Sequence, residues 1–317
     1  MTRSRALAVA LAAALLAFFA VVLTRAPEGT FAALEKARPL PVAAGLVLYA
    51  ASFSVRAVRL NALLPDGDRL PFGRAMSLSA AATFLLQVVP FRGGELASWA
   101  AYRDALSAGW LRSGAVFALV KAVDTAALVL VGLAGAAVLS SRGGASILGG
   151  AAALLALAGA VLLLLAPRIG TALLGFLAAR LPEGSRRRRA AEELKGGLAV
   201  AHEKPARYLL SVATALLFLA GHVGAVLLIL LGLGIPATAA GVALASLAGT
   251  GAAALLPSPA GTFGPLESGF AAGLLADGVP IALGLVASAL VHVLMTGAAG
   301  LAGLPFFLFR RKGAGPA

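Results

Sequence analysis

Val88-Val89-Pro90-Phe91-Arg92-Gly93-Gly94-Glu95 interrupts an apolar run over residues 75–89 and leads into a second helical run, residues 96–102. A proline and two glycines break what would otherwise be membrane-embedded helix. An arginine and a glutamate lie inside the break. Bilayer interior accommodates irregular backbone only where protein or a water-filled cavity shields it. A charge there costs roughly 3 kcal/mol or more, so Arg92 and Glu95 together mark a functional site. A second stretch, Leu256-Pro257-Ser258-Pro259-Ala260-Gly261-Thr262-Phe263-Gly264-Pro265-Leu266-Glu267, follows the same scheme. It too is apolar helix, then a Pro/Gly break, then a glutamate opening a second helix. The chain reads as two halves built around these two breaks.

Composition supports a bilayer setting. Apolar residues make up 60% of the 317 and charged residues 12%, against about a quarter charged in soluble domains. The longest polar stretch, residues 167–205, leaves no room for a separate soluble catalytic domain. The whole chain, 1–317, is read as one integral membrane domain. The absence of cysteine excludes disulfides, thiol catalysis and cysteine-bound metal. His202, His222 and His292 are far apart, so neither a metal nor a cofactor is expected. The net charge of +13 is read as topology and attraction to anionic headgroups, not as nucleic-acid binding.

Taken in order, residues 6–23 form a first span behind Arg3 and Arg5. Residues 40–63 form the second, with Arg56 and Arg59 on one helical face. These arginines either snorkel to the cytoplasmic surface or line a headgroup cavity. Residues 75–89 rise about 22 Å against a hydrocarbon core of about 30 Å, so 72–105 is expected to be a re-entrant hairpin. Residues 113–139 form the third span. Within it Lys121 and Asp124 share a face and can pair, as a structural ion pair or as a charge relay. Residues 146–166 form a lipid-facing fourth span, and 167–205 a basic cytoplasmic loop with four consecutive arginines, 186–189. Residues 207–231 form the fifth span, in which His222 reads as a helix–helix hydrogen bonder or a ligand. Residues 237–277 are a second broken element, approaching a full crossing in length. Residues 281–309 form the last span, with His292 inside it. Of the 26 basic residues, this topology leaves only Arg25, Lys36, Arg38 and Arg142 outside, as the positive-inside rule requires. Both termini are then cytoplasmic, in a bacterial inner membrane.

The expected architecture is therefore all-α, with six full transmembrane helices and two re-entrant hairpins. It forms two inverted repeats, about 40–139 and 207–309, a plan shared by secondary transporters. Half-helices starting near Gly93 and Gly264 leave unpaired N–H groups at the positive dipole end, where phosphate oxygen can bind. Arg92 adds a guanidinium fork, Ser258 and Thr262 add hydroxyls, and Gly94 and Gly261, within the two breaks, are counted with them as candidate binding residues. Glu95 and Glu267 read as helix caps, as counter-ions to Arg92, or as proton carriers.

Arg56-x-x-Arg59, the Pro90-Phe91-Arg92-Gly93-Gly94-Glu95 break and the Pro257-to-Glu267 break together resemble the flippase-like, lysylphosphatidylglycerol synthase transmembrane-region family. The resemblance covers nearly the whole chain. Lys121 and Asp124 resemble the family's basic–acidic pair, although the family usually carries arginine where Lys121 and His292 stand. Bifunctional members add a soluble aminoacyl transferase, an activity the resemblance does not imply for these residues. The resemblance implies movement of a polar lipid headgroup between leaflets. Arg56, Arg59 and Arg92 would bind the headgroup, and Glu95, Lys121, Asp124, Glu267 and His292 would relay charge. A membrane-embedded transferase on a lipid-linked substrate is the alternative, and a non-transporting scaffold a third.

Overall fold

The computed structural model describes residues 37–90, 93–107, 109–142, 146–256 and 261–309. The expected first span, Arg92, Ser258 and the closing basic run 310–312 lie outside them. The described residues are helical, with no strand among them. The helices are α1 (Pro39–Leu63), α2 (Phe72–Val88), α3 (Gly93–Leu106), α4 (Trp110–Arg142), α5 (Ser146–Arg180), α6 (Arg186–Glu203), α7 (Pro205–Gly232), α8 (Ala239–Leu255), α9 (Pro265–Leu275) and α10 (Ile281–Leu308). Helices α1, α4, α7 and α10 are long and apolar enough to cross a membrane.

Small residues set how these helices meet, as expected where lipid supplies no hydrophobic drive between them. Helix α1 runs antiparallel to α7. A Cβ at Gly45 would stand 2.6 Å from Ala225 O, and one at Gly232 2.6 Å from Val42 Cγ2. Helices α2 and α3 fold back on each other, with Ser98 Oγ donating to Ala82 O at 3.0 Å. Helices α8 and α9 do the same, with Gly273 packed on Ala245. Each hairpin then leans on the far half of the chain: α2 packs on α10 and α8 on α4.

The open ends of the two hairpins lie at opposite ends of the bundle. The open end of α2–α3 lies beside the turn after α1, where Arg112 pairs with Asp68. The open end of α8–α9 is closed by Asp277, which accepts the Thr238 N–H at 2.5 Å and the Thr238 hydroxyl at 2.8 Å. That end also holds Arg38, which donates to Leu231 O at 2.6 Å.

The expected cytoplasmic loop 167–205 is instead mostly helix. Helix α5 continues through Pro167 to Arg180, and α6 follows after a short turn. A proline removes one backbone bond and does not end a helix that packing supports on both sides. Helix α6 is amphipathic: Ala191 and Ala201 are buried and Leu198 packs against the core, while Arg187, Glu192, Glu193 and Lys195 are exposed. Helix α5 leaves Leu154, Leu155, Leu157 and Phe176 exposed, in keeping with a lipid-facing surface.

An ionic clamp ties the α1–α2 turn to the start of α7. Asp66 accepts from Lys204 Nζ at 2.7 Å, Arg69 at 2.9 Å and Arg207 at 3.3 Å. Arg207 also donates to Asn61 O at 2.9 Å. The Lys204 hydrogen bond and then its charge hold the Asp66 carboxyl below the usual carboxylate range. A depressed folded-state pKa means that the clamp stabilises at neutral pH. The contribution is lost as pH falls below about 4. In Asp66→Asn, thermal stability in detergent is expected to be slightly lower at pH 7 and to fall less between pH 5 and 3. Equal acid sensitivity in the two proteins would show that the clamp contributes nothing.

Candidate functional site

The tips of the two hairpins touch. Thr262 N–H donates to Gln87 O at 3.2 Å. Gly261 sits against the same carbonyl in a left-handed conformation, φ +68°. Gly264, at φ +97°, precedes α9, and Glu267 reaches back to accept its N–H at 2.5 Å. That single bond does half the work of a capping box, because glycine has no side chain to return the other.

Beside the meeting point lies a cavity of about 280 Å³. Hairpin arms α2 and α3 contribute Thr83, Gln87, Gly94 and Glu95. Helix α4 contributes Lys121, Asp124 and Thr125, and α8 adds Ser246 and Thr250. Tyr49 and Arg56 from α1, with Phe218 and His222 from α7, close the remaining wall. Gly261 and Thr262 line it from the second hairpin tip.

The charges in the wall are arranged differently from the expected Lys121–Asp124 pair. Asp124 is held by both α1 arginines: Arg56 at 2.8 Å and Arg59 at 3.0 Å to Oδ2, with a further Arg59 bond to Oδ1. Arg56 also donates to Thr83 Oγ1 and stacks over the Phe218 ring at 4.7 Å. The (i, i+3) spacing within α4 is outcompeted because Arg59 reaches the carboxylate from α1 with a bidentate fork and Arg56 adds a further charge-assisted bond. Arg59 is only 1% exposed and lies behind Asp124. It therefore sets the field of the cavity without touching its contents. Lys121 and Glu95 line the cavity and have no ion-pair partner within 4 Å among the described residues.

Glu267 is 5% exposed and faces away from the cavity. Its other oxygen meets His292 Nδ1 at 2.5 Å, and His292 Nε2 lies 3.3 Å from Thr262 Oγ1. Thr296 Oγ1 donates to Gln87 Oε1 at 2.8 Å. The structure thus brings together Arg56, Gly94, Glu95, Lys121, Asp124, Gly261 and Thr262 around one space. Glu267 and His292 belong to an adjoining closed network reached through Thr262, and Gly93 and Gly264 begin the two returning helices.

Tyr49, Thr83, Gln87 and Phe218 are wall residues that sequence reasoning passed over. The glutamine inside the apolar run 75–89 was the one available signal. His222, read mainly as a packing residue, lies on the wall with its ring 6.1 Å from Tyr49 and 6.3 Å from Phe218. Among the described residues no group of three or more His, Asp or Glu side chains gathers as a metal site would need.

The fold and this charged cavity define a multi-pass helical membrane protein with a polar chamber where broken helices meet. The family model described as lysylphosphatidylglycerol synthase TM region matches residues 5–303, and the chain belongs to that family. No curated protein and no solved structure matches the chain.

Proposed function

We propose that the protein moves a polar, phosphate-bearing lipid headgroup between leaflets through this cavity while the acyl chains stay in the bilayer. The observation that carries the reading is a charge-lined chamber at the contact of two hairpin tips. In bilayer, broken backbone and unpaired charge are retained where a hydrated path needs them. Helix α2 is 17 residues long, about 25 Å, and α8 has the same length. Both fall short of a hydrocarbon core of about 30 Å, which favours re-entrant hairpins. Their open ends lie at opposite ends of the bundle, and the pairings α2–α10 and α8–α4 mirror each other. These features favour two inverted repeats and, with the spans expected from sequence, six full crossings. Arg69, Arg112, Lys204 and Arg207 gather at one end, and we assign that end to the cytoplasmic side of the bacterial inner membrane.

Lys121 faces the cavity with no ion pair among the described residues, whereas Arg56 and Arg59 are committed to Asp124, so Lys121 is the phosphate anchor in this reading. Losing a charge-assisted hydrogen bond of about 1.5–3 kcal/mol should slow transfer by roughly tenfold or more in Lys121→Ala. Folding should be unaffected, because no ion pair is broken. Leaflet exchange of a headgroup-labelled anionic phospholipid in proteoliposomes measures this. Wild-type rates in both Lys121→Ala and Glu95→Gln would remove the cavity from the transport path.

A membrane-embedded transferase has one observation in its favour, the Thr262–His292–Glu267 alignment of hydroxyl, imidazole and carboxylate. The N–H groups of Thr262 and Gly264, which would face a developing oxyanion, already bond Gln87 O and Glu267. The arrangement therefore fits a structural link better than a nucleophile. Turnover of a lipid-linked substrate that vanishes in Thr262→Val would reverse this ranking.

A further inference from the structure

Two identical segments, Gly132-Leu133-Ala134-Gly135 and Gly300-Leu301-Ala302-Gly303, lie in α4 and α10. Each packs on the first arm of the opposite hairpin. On α8, a Cβ at Gly132 would stand 2.4 Å from Leu247 Cβ, and one at Gly135 2.5 Å from Ala240 O. On α2, a Cβ at Gly300 would stand 3.1 Å from the Phe84 ring, and one at Gly303 2.6 Å from Ala81 N. The matched contacts put α4 in register with α10 and α8 with α2. In that register Asp124 corresponds to His292, each at the same spacing ahead of its glycine pair. Thr83 corresponds to Ser246 and Gln87 to Thr250, and all four of these side chains line the cavity.

The surroundings of the two equivalent positions differ. Asp124 is held by Arg56 and Arg59, and Arg56 bonds Thr83, while Glu95, Lys121, Thr125, Ser246 and Thr250 stand around an open chamber. Around His292 the polar groups bond to one another: His292 to Glu267 and Thr262, Glu267 to the Gly264 N–H, and Thr296 to Gln87. His292 is 3% exposed and Thr296 0%. Gln87 joins the two sides, since its backbone carbonyl holds the Thr262 tip and its side chain holds Thr296.

We propose that the His292–Glu267–Thr262 network is a second headgroup station, latched shut here, which opens as the Asp124 chamber closes. Once released, the imidazole, two threonine hydroxyls and the Gln87 amide would present donors to the same phosphate. Halves that share one packing scheme have two conformations of similar energy related by exchange, and a polar network that bonds in only one of them biases the balance. The shared tip contact at Gln87 makes the motions reciprocal. This inference rests on the lipid-transfer reading and adds a second site to it.

The test uses single cysteines, which report without background because the chain has none of its own. Thr125→Cys reports on the open chamber. Ala289→Cys, the counterpart of Lys121 and 2% exposed, reports on the latched side. With a small anionic thiosulfonate in proteoliposomes, Thr125→Cys should react quickly and Ala289→Cys slowly. Adding Glu267→Gln should speed labelling of Ala289→Cys by about tenfold or more, the scale of one lost charge-assisted bond, and slow labelling of Thr125→Cys. Thr296→Val, isosteric and uncharged, should shift both rates in the same directions if Glu267→Gln fails to fold. Faster labelling at 289 with no change at 125 would mean local loosening and would overturn the proposal, as would unchanged rates at both. Reciprocal rates in a protein that transfers no lipid would leave the two-station device standing and remove the lipid reading.

Discussion

Asp124→Asn is expected to destabilise the protein by roughly 3–5 kcal/mol, the usual consequence of removing one partner from a largely buried ion pair. Arg56 and Arg59 share this single carboxylate. Without it, two guanidinium groups face each other with only the Thr83 hydroxyl and the Phe218 ring as partners. With the tie from α1 to α4 lost and two uncompensated charges left at their contact, the chamber wall should deform, so the proposed leaflet exchange is lost together with stability. Replacing the whole triad tests the cause. Arg56→Met, Arg59→Met and Asp124→Leu together should recover much of the stability, because a matched apolar set avoids the desolvation cost, while transport stays absent. The measurement is thermal or urea unfolding in detergent, read beside leaflet exchange. A single Asp124→Asn variant as stable as wild type would show that solvent in the chamber screens these charges.

Gly261→Ala should have the second largest effect. At φ +68° an L-residue carries about 1–2 kcal/mol of backbone strain, and here its Cβ would fall 2.0 Å from Gln87 O. Backbone carbonyl cannot swing aside as a flexible side chain could. One of the hairpin tips must retreat, and the Thr262 N–H bond to Gln87 breaks with it. Destabilisation of at least about 2 kcal/mol and loss of leaflet exchange are expected. Gly67→Ala is the control, since nothing lies within 4 Å of its missing Cβ. Equal behaviour of the two variants would mean that the tips need not touch.

Much of the architecture was legible beforehand. The breaks were visible because proline and glycine interrupt apolar runs too short to cross a bilayer. The ends of α1, α7 and α10 fall within a few residues of the expected spans, since apolar length and flanking polarity act locally. The stretch 167–205 was misjudged because Pro167 and the charges of 183–195 resemble a loop. Whether such a segment forms helix depends on α4, α5 and α7, against which α6 packs.

The site was legible only in part, and the limit is physical. Spacing along one helix shows which side chains share a face, so Lys121 beside Asp124 was a fair pairing. It cannot show that two arginines arrive from α1 and displace the lysine. The two glutamates look equivalent in sequence, each opening a helix after a break. Tertiary packing separates them: Glu95 stands at the open chamber, and Glu267 is sealed against His292. The chain's own pattern of apolar length, breakers and basic residues was enough to determine a multi-pass helical protein with two broken elements, because those preferences are set residue by residue against lipid. Which charges remain unpaired at the cavity was decided only by the folded arrangement, because a carboxylate in low dielectric goes to whichever donors approach it with the best geometry.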